Sequence, residues 1–257
     1  MERRKLFPIC ILVLVVATSG CISGGDASLN KNFDTGHEDI SFNSSAGSLL
    51  DNAFSQNYSV YEISSEFKVL MRTPVAPMRL NLSSEGVFNK SYSNTTSITS
   101  IGFGLGESSK DSPQPVKNIE TYPDRTETEI VNMENSSEKI SESLSRKELG
   151  LSVSAVDRIN FRNSTVLGTT GENSSEILVK IQPDKEDLLE NYADIFEVHV
   201  VSDDEASTDD EQELSSFEEA KAYAWISRGN GKIKRFSYFG SAAEEDLQVR
   251  ADINFTY

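Results

Sequence analysis

Apolar residues alternate with polar ones through most of this chain. The alternation is longest over residues 61–72 and 247–257, where almost every second residue is hydrophobic. Successive side chains of a strand point to opposite faces, so this spacing predicts strands with one buried face. Further strands, some on weaker patterns, are predicted at residues 78–83, 92–105, 117–131, 159–167, 177–181 and 197–201. The pattern as a whole predicts a large antiparallel sheet.

Helical spacing is clear in one place, directly after Pro183. There the apolar residues fall on one side of a helix, and Asp184 precedes them as a capping residue. The predicted stripe consists of Leu188, Leu189, Tyr192, Ile195 and Phe196. A short helix is also expected over residues 47–56, whereas residues 135–149 fit either a helix or a strand.

A hairpin is predicted near the C-terminus, where Asn230 and Gly231 form a dipeptide typical of a type I′ turn. A two-residue loop at this point places Trp225 opposite Phe236 and Tyr223 opposite Tyr238. Two aromatic cross-strand pairs on one face would stabilise that register.

The first twenty residues resemble a secretory leader. Three basic residues, Arg3 to Lys5, precede an apolar run that ends in small residues before Cys21. The alternative is a transmembrane anchor, but the run of about a dozen residues is short of the ~20 that a spanning helix needs. We therefore expect a signal peptide over residues 1–20 and a flexible tether over residues 21–46 that begins at a lipidated Cys21. A single domain would follow over residues 47–257, outside the cell and anchored to the outer face of the cell membrane.

Composition limits the chemistry that the chain can perform. It holds 41 acidic and 24 basic residues, for a net charge of −17, which disfavours nucleic acid as a partner. Its only cysteines are Cys10 and Cys21 and its only histidines are His37 and His199, so no cysteine–histidine pair or zinc motif is available to the domain. An acidic run over residues 203–213 lacks the spacing of a calcium-binding loop. We expect a protein that is not an enzyme and that holds no metal or cofactor.

Nine asparagines begin a glycosylation sequon, and none of these sequons contains proline. They are candidates for attached glycans and would mark an outer surface. These candidates are Asn43, Asn57, Asn81, Asn89, Asn94, Asn135, Asn163, Asn173 and Asn254.

Three stretches of sequence carry a resemblance to a known family. They are LNLSSEGVFNK at residues 80–90, ILVKIQPDKEDLL at 177–189 and AYAWISRGNGKIKRFSYF at 222–239. Together with the cysteine after the leader, their order resembles the LolA/LppX-like lipoprotein superfamily, especially its archaeal members. The resemblance implies an α+β fold, in which one curved antiparallel sheet forms a half-barrel with helices packed on its concave face. Some members of that superfamily bind acyl chains between the sheet and the helices.

Two hypotheses of function follow. In the first, a lipoprotein tethered to the cell surface holds a hydrophobic molecule between its sheet and its helices and performs no chemistry. In the second, the domain is a glycosylated structural or protein-interaction module of the cell envelope, with a filled core and no small-molecule ligand. A cavity of roughly 300 Å³ or more with apolar walls would favour the first hypothesis.

Overall fold

A computed structural model describes residues 29, 38, 44–72, 77–89, 92–103, 112–122, 126–131, 137–142, 152–157, 159–199, 217–242 and 247–257. In this part of the chain, eleven strands form one sheet in the order β6-β5-β4-β3-β2-β1-β11-β10-β9-β8-β7. The strands are β1 Val60–Met71, β2 Met78–Asn89, β3 Ser93–Phe103, β4 Ser112–Thr121, β5 Thr126–Val131, β6 Ser137–Glu142, β7 Phe161–Thr170, β8 Glu176–Pro183, β9 Glu219–Ser227, β10 Ile233–Ser241 and β11 Leu247–Thr256. The helices are α1 Ala46–Phe54, α2 Val153–Asp157 and α3 Lys185–His199.

The predicted α+β class is wrong. A single open antiparallel sheet of eleven strands dominates the described residues. The helices there are minor elements, with nine residues in α1, five in α2 and fifteen in α3. The period-two pattern that runs through the sequence is therefore the main determinant of the architecture, and the helices are additions to the sheet.

The long alternating stretches form strands as the sequence predicts. In β1, Tyr61, Ile63, Phe67 and Val69 are buried while the residues on the other face between them are largely exposed, and β11 alternates in the same way from Val249 to Phe255. Strands β2 and β8 also keep the predicted parity of their apolar residues. We call the face that carries these residues the inner face of the sheet and the opposite side the outer face.

Helix α3 lies against the inner face. Its predicted cap is confirmed, since the backbone N–H of Glu186 donates to Asp184 Oδ1 at 3.0 Å. The ring of Tyr192 lies 5.7 Å from that of Phe67 on β1, and the Tyr238 hydroxyl on β10 donates to Asn191 Oδ1 at 3.0 Å. The stripe is buried at Leu188, Tyr192 and Ile195 and partly buried at Leu189.

The strand expected at residues 197–201 is also wrong, because helix α3 continues through His199. Residues 200 and 201 lie outside the described part of the chain. The ambiguous segment 135–149 contains strand β6, from Ser137 to Glu142. Helix α2 is an element that the sequence did not predict.

The predicted register of the C-terminal hairpin is off by one residue. Trp225 pairs with Arg235, and Phe236 pairs with Ala224. The chain turns through residues 228–231 with Gly231 at a φ of 70°, and a register irregularity follows between Ile233 and Arg235. This shift places Trp225 and Phe236 on opposite faces of the sheet, because side chains alternate along each strand.

The close approach of β2 and β3 requires a glycine at residue 86. A Cβ atom there would lie 2.4 Å from the backbone oxygen of Asn94. We expect Gly86→Ala to lower the free energy of unfolding by about 1–3 kcal/mol through overpacking, as measured by urea unfolding.

Gly47→Ala is the matched control for this substitution. A Cβ at Gly47, in helix α1, meets nothing within 4 Å, so the alanine should raise stability by about 0.5–1 kcal/mol. Equal effects of the two alanines would contradict the close contact at Gly86.

Candidate functional site

An open cleft lies between helix α1 and the start of strand β7. Its volume is about 680 Å³. One wall comes from α1 and the other from Asp157 and residues 159–164. The lining residues are Gly47, Leu50, Asp51, Phe54, Ser55, Asp157, Ile159, Asn160, Phe161, Arg162, Asn163 and Ser164.

The wall formed by α1 is amphipathic. Ser45 begins the helix, and its hydroxyl oxygen accepts a hydrogen bond from the backbone N–H of Ser48 at 3.2 Å, as expected of an N-cap. Leu50 and Ala53 are buried in the core, which fixes the rotation of the helix. That rotation leaves Asp51 and Phe54 on the cleft.

The opposite wall is held by the N-terminal end of α3. The backbone N–H and the side-chain amide of Asn160 both donate to Asp187 Oδ2 at 2.8 Å, and the backbone N–H of Asp184 donates to the Asn160 carbonyl at 2.7 Å. Ile159 is buried beside them. The polar side of the cleft is therefore attached to a rigid helix terminus.

Two stacked aromatic rings form the apolar floor of the cleft. The centroids of Phe54 and Phe161 are 5.8 Å apart with 29° between the ring planes. Phe161 also lies 6.5 Å from Phe236 in the core. Both cleft rings are half-buried, so they present apolar surface to whatever enters from solvent.

Charges of both signs surround this floor. Burial raises the pKa of the Asp157 carboxyl above its usual value. On the same wall, Arg162 donates to Asp184 Oδ2 from Nε at 2.8 Å and from Nη2 at 2.6 Å. The hydrogen bonds from Arg162 are the main reason that the pKa of Asp184 lies below its usual value. The ion pair holds the guanidinium at the rim, where Arg162 remains largely exposed.

Most of the predicted modification sites lie at the surface. Cys21, Asn43 and Asn135 are outside the described residues. The other seven sequon asparagines are all exposed or half-buried: Asn57, Asn81, Asn89, Asn94, Asn163, Asn173 and Asn254. Only Asn163 among these seven lines the cleft. Their positions leave room for glycans.

The cleft was not predicted from the sequence. Its two walls are far apart along the chain, and no motif links them. The only signal was the spacing of Leu50 and Phe54 on one helix and of Ile159 and Phe161 at the start of a strand, and this spacing equally indicates ordinary core packing.

Hydroxyl groups are buried on the inner face of β3 and β4. Ser93, Thr95 and Thr121 are fully buried, and within the described residues their hydroxyls have no hydrogen-bond partner. Ser93 and Thr121 face each other across the two strands, and Lys117 is also buried on this face. The inner face is therefore apolar on the strands that run from β8 to β1 in the order of the sheet. It becomes polar on β3 and β4.

The part of the chain that the structure describes has neither a metal-binding cluster nor a helix suited to span a membrane. Over those residues, histidine, cysteine, aspartate and glutamate side chains form no cluster of three or more that could hold a metal ion. No described helix is both long enough and apolar enough to cross a membrane.

Comparison with known proteins gives distant similarities only. No protein-family model and no curated protein matches this chain. A DUF1329 family protein from Desulfovibrio piger is similar at 10% identity, over 82% of this chain and 92% of that one, with a TM-score of 0.28. A LolA superfamily protein from Nitrosomonas europaea is similar at 10% identity, over 83% and 92%, with a TM-score of 0.22. A LolA superfamily protein is thus among the similar structures.

A substitution at Thr121 tests whether its buried hydroxyl, on the inner face, has a hydrogen-bond partner. A buried hydroxyl without a partner destabilises a protein by about 1–3 kcal/mol, so Thr121→Val should raise the free energy of unfolding by about 1 kcal/mol. Urea unfolding measures this change. Thr96→Val is the control, because the Thr96 hydroxyl donates to Asn118 Oδ1 at 3.0 Å and its loss should give no gain. A Thr121→Val protein less stable than the wild type would show that this hydroxyl has a partner.

Proposed function

We propose that this protein is a membrane-anchored binding lipoprotein of the cell exterior, which holds an amphiphile in the cleft between α1 and β7 and performs no chemistry. The observation that carries the proposal is the cleft itself. Its volume of about 680 Å³ lies within the range of small-molecule sites, roughly 300–1,000 Å³. Its stacked rings, Phe54 and Phe161, supply an apolar floor.

The rim favours a head group that is uncharged or zwitterionic. Asp51 and Asp157 lie on the lining together with Arg162, and the charge of Arg162 is already paired with Asp184. A purely anionic group would meet two carboxylates with little free positive charge to compensate. A head group that carries both signs, or only hydrogen-bonding groups, is complementary to such a rim.

The leader and the sequons support the cellular part of the proposal. The charged, apolar and small-residue order before Cys21 is typical of a signal that ends in a lipidated cysteine. The seven described sequon asparagines have accessible side chains, which supports glycosylation of the outer surface.

Lipidation at Cys21 can be tested by mass spectrometry of protein extracted from membranes. The mature chain should begin at Cys21, and that residue should carry the mass of a lipid. A mature protein that still begins at Met1 would contradict the proposed anchor.

Binding can be tested with a fluorescent lysophosphatidylcholine, a zwitterionic amphiphile with one acyl chain. We expect saturable binding to the wild-type protein and about tenfold weaker binding to Phe54→Ser, since a factor of ten corresponds to about 1.4 kcal/mol of lost contact. Ile98→Ser is the matched control, because Ile98 is a 51% exposed apolar residue on the outer face.

The proposal fails if the wild-type protein does not take up the probe, or if Phe54→Ser and Ile98→Ser bind it equally well. Failure to bind would leave the hypothesis of a structural or protein-interaction module.

A further inference from the structure

The outward-facing side chains of β1 to β5 form rows that cross the strands. Residues that are paired between neighbouring antiparallel strands lie side by side on the same face of a sheet. The pairing therefore defines three consecutive rows, which are two residues apart along each strand. In the order β1 to β5, the first row is Glu62, Val87, Asn94, Glu120 and Glu127, the second is Ser64, Glu85, Thr96, Asn118 and Glu129, and the third is Glu66, Ser83, Ile98, Val116 and Val131.

These three rows carry negative charge and no positive charge. Their fifteen positions include six glutamates and no lysine or arginine. Lys68, in the adjacent row, pairs at 2.6 Å with Glu66 and leaves the other five glutamates. The outer face of β8 to β11 mixes both signs, with Lys180, Lys221, Arg235 and Arg250 beside Glu176, Glu219 and Asp252. The excess of acidic residues is therefore concentrated on one half of the outer face.

The third row ends in an exposed apolar strip. Ile98, Val116 and Val131 lie side by side on β3, β4 and β5. Ile98 is 51% exposed, and the two valines are half-buried. Val87, in the first row, is 43% exposed. Grouped apolar residues that are bordered by polar ones are typical of interaction surfaces. We call the three rows together the acidic–apolar surface.

Neutral groups hold the carboxylate of Glu120 in place on this surface. The Tyr92 hydroxyl donates to Glu120 Oε1 and the Tyr122 hydroxyl to Glu120 Oε2, each at 2.9 Å. The side-chain amide of Asn94 also donates to Oε1, at 3.4 Å. Among the described residues, no lysine or arginine forms an ion pair with Glu120. Because the carboxylate is already ordered, a cationic group that pairs with it loses less free energy to ordering.

The spacing of the acidic–apolar surface matches one side of an amphipathic helix. Neighbouring strands are about 4.8 Å apart, and the rows are about 7 Å apart along the strands. Residues three or four positions apart on a helix are separated by about 5–6 Å on one side of it. A helix lying across β3 to β5 would therefore place successive apolar side chains over Ile98, Val116 and Val131. Basic side chains next to that apolar stripe would reach the glutamates of the second and first rows.

We propose that the acidic–apolar surface docks a basic amphipathic helix of another protein. The apolar stripe of that helix covers Ile98, Val116 and Val131, and its lysine or arginine side chains pair with the glutamates, Glu120 among them. Such complementary charge favours this partner over a second copy of the chain, which would bring glutamates against glutamates if the same surfaces met. The inference does not depend on ligand binding at the cleft, which lies beside β7 at the other end of the sheet.

The proposal also restricts glycosylation at one sequon. Asn94 lies in the first row, and its side-chain amide is directed at Glu120. A glycan on Asn94 would cover the acidic–apolar surface, so we expect this asparagine to be unmodified in the mature protein. Mass spectrometry of the peptide that contains Asn94 measures its occupancy. A glycan on Asn94 in most molecules would overturn the proposal.

A synthetic helical peptide of leucine and lysine, with its leucines in one stripe, is a suitable probe. We expect saturable binding to the purified mature protein that weakens at high salt, because salt screens the charges. Binding to Glu85→Gln/Glu120→Gln should be about tenfold weaker. The control Glu172→Gln/Glu190→Gln removes the same charge from exposed residues elsewhere and should bind as the wild type does.

The apolar strip is tested with the same probe. Ile98→Ser should weaken binding several-fold, whereas Phe54→Ser, which alters the cleft, should not change it. A peptide of the same composition with its leucines scattered around the helix should bind more weakly than the probe. The proposal is overturned if the wild-type protein does not bind the probe, if the two glutamine double variants bind it equally well, or if the scattered peptide binds as well as the probe.

Cross-linking of the wild-type protein gives a test that needs no variant. A carbodiimide activates a carboxylate, and a lysine amine in contact with it displaces the activating group as a urea and forms an amide bond. With the leucine–lysine probe bound, mass spectrometry of proteolytic fragments should locate these amide bonds at Glu85, Glu120 and Glu129. Amide bonds formed as readily at Glu172 and Glu190 would overturn the proposal.

Discussion

The fold depends on the pairing of the first strand with the last. Strands β1 and β11 are joined along ten residue pairs, from Glu62 with Thr256 to Met71 with Leu247. Strands β1 to β6 pair in chain order on one side of this junction, and β7 to β11 do so on the other. Without it there would be two separate sheets, each with a long unpaired edge of the kind that promotes aggregation. Contacts this distant in sequence are intrinsically slow to form, because a long loop must close first.

The same pairing creates the candidate site. Helix α1 directly precedes β1 in the chain. Because β1 pairs with β11, α1 lies beside the C-terminal half of the sheet, in contact with β7. The Tyr58 hydroxyl, in the connection between α1 and β1, accepts a hydrogen bond from the backbone N–H of Ile233 at 3.2 Å, and its ring lies 5.4 Å from that of Tyr257. These contacts bring Phe54 against Phe161. The floor of the cleft is thus formed by segments that are more than a hundred residues apart.

The hydrophobic pattern of the sequence predicts the strands well where the buried residues are apolar. Alternation located β1, β2, β8 and β11, because one face of each packs against the core. It predicted the inner face of β3 less well, since Ser93, Thr95 and Ser97 point inward there and such residues are usually exposed. The turn dipeptide located the hairpin but not its register, which depends on a longer loop and an irregularity near Arg235. The cleft depends on tertiary contacts that no local pattern encodes.

Native mass spectrometry of the mature protein, purified from its own membranes in a mild detergent, tests the central claim of amphiphile binding most directly. We predict a population that carries one additional small amphiphile beyond the covalent anchor, released on collisional activation and depleted in Phe54→Ser. A wild-type spectrum with no adduct, obtained under conditions that retain lipids on other lipid-binding proteins, would contradict the claim.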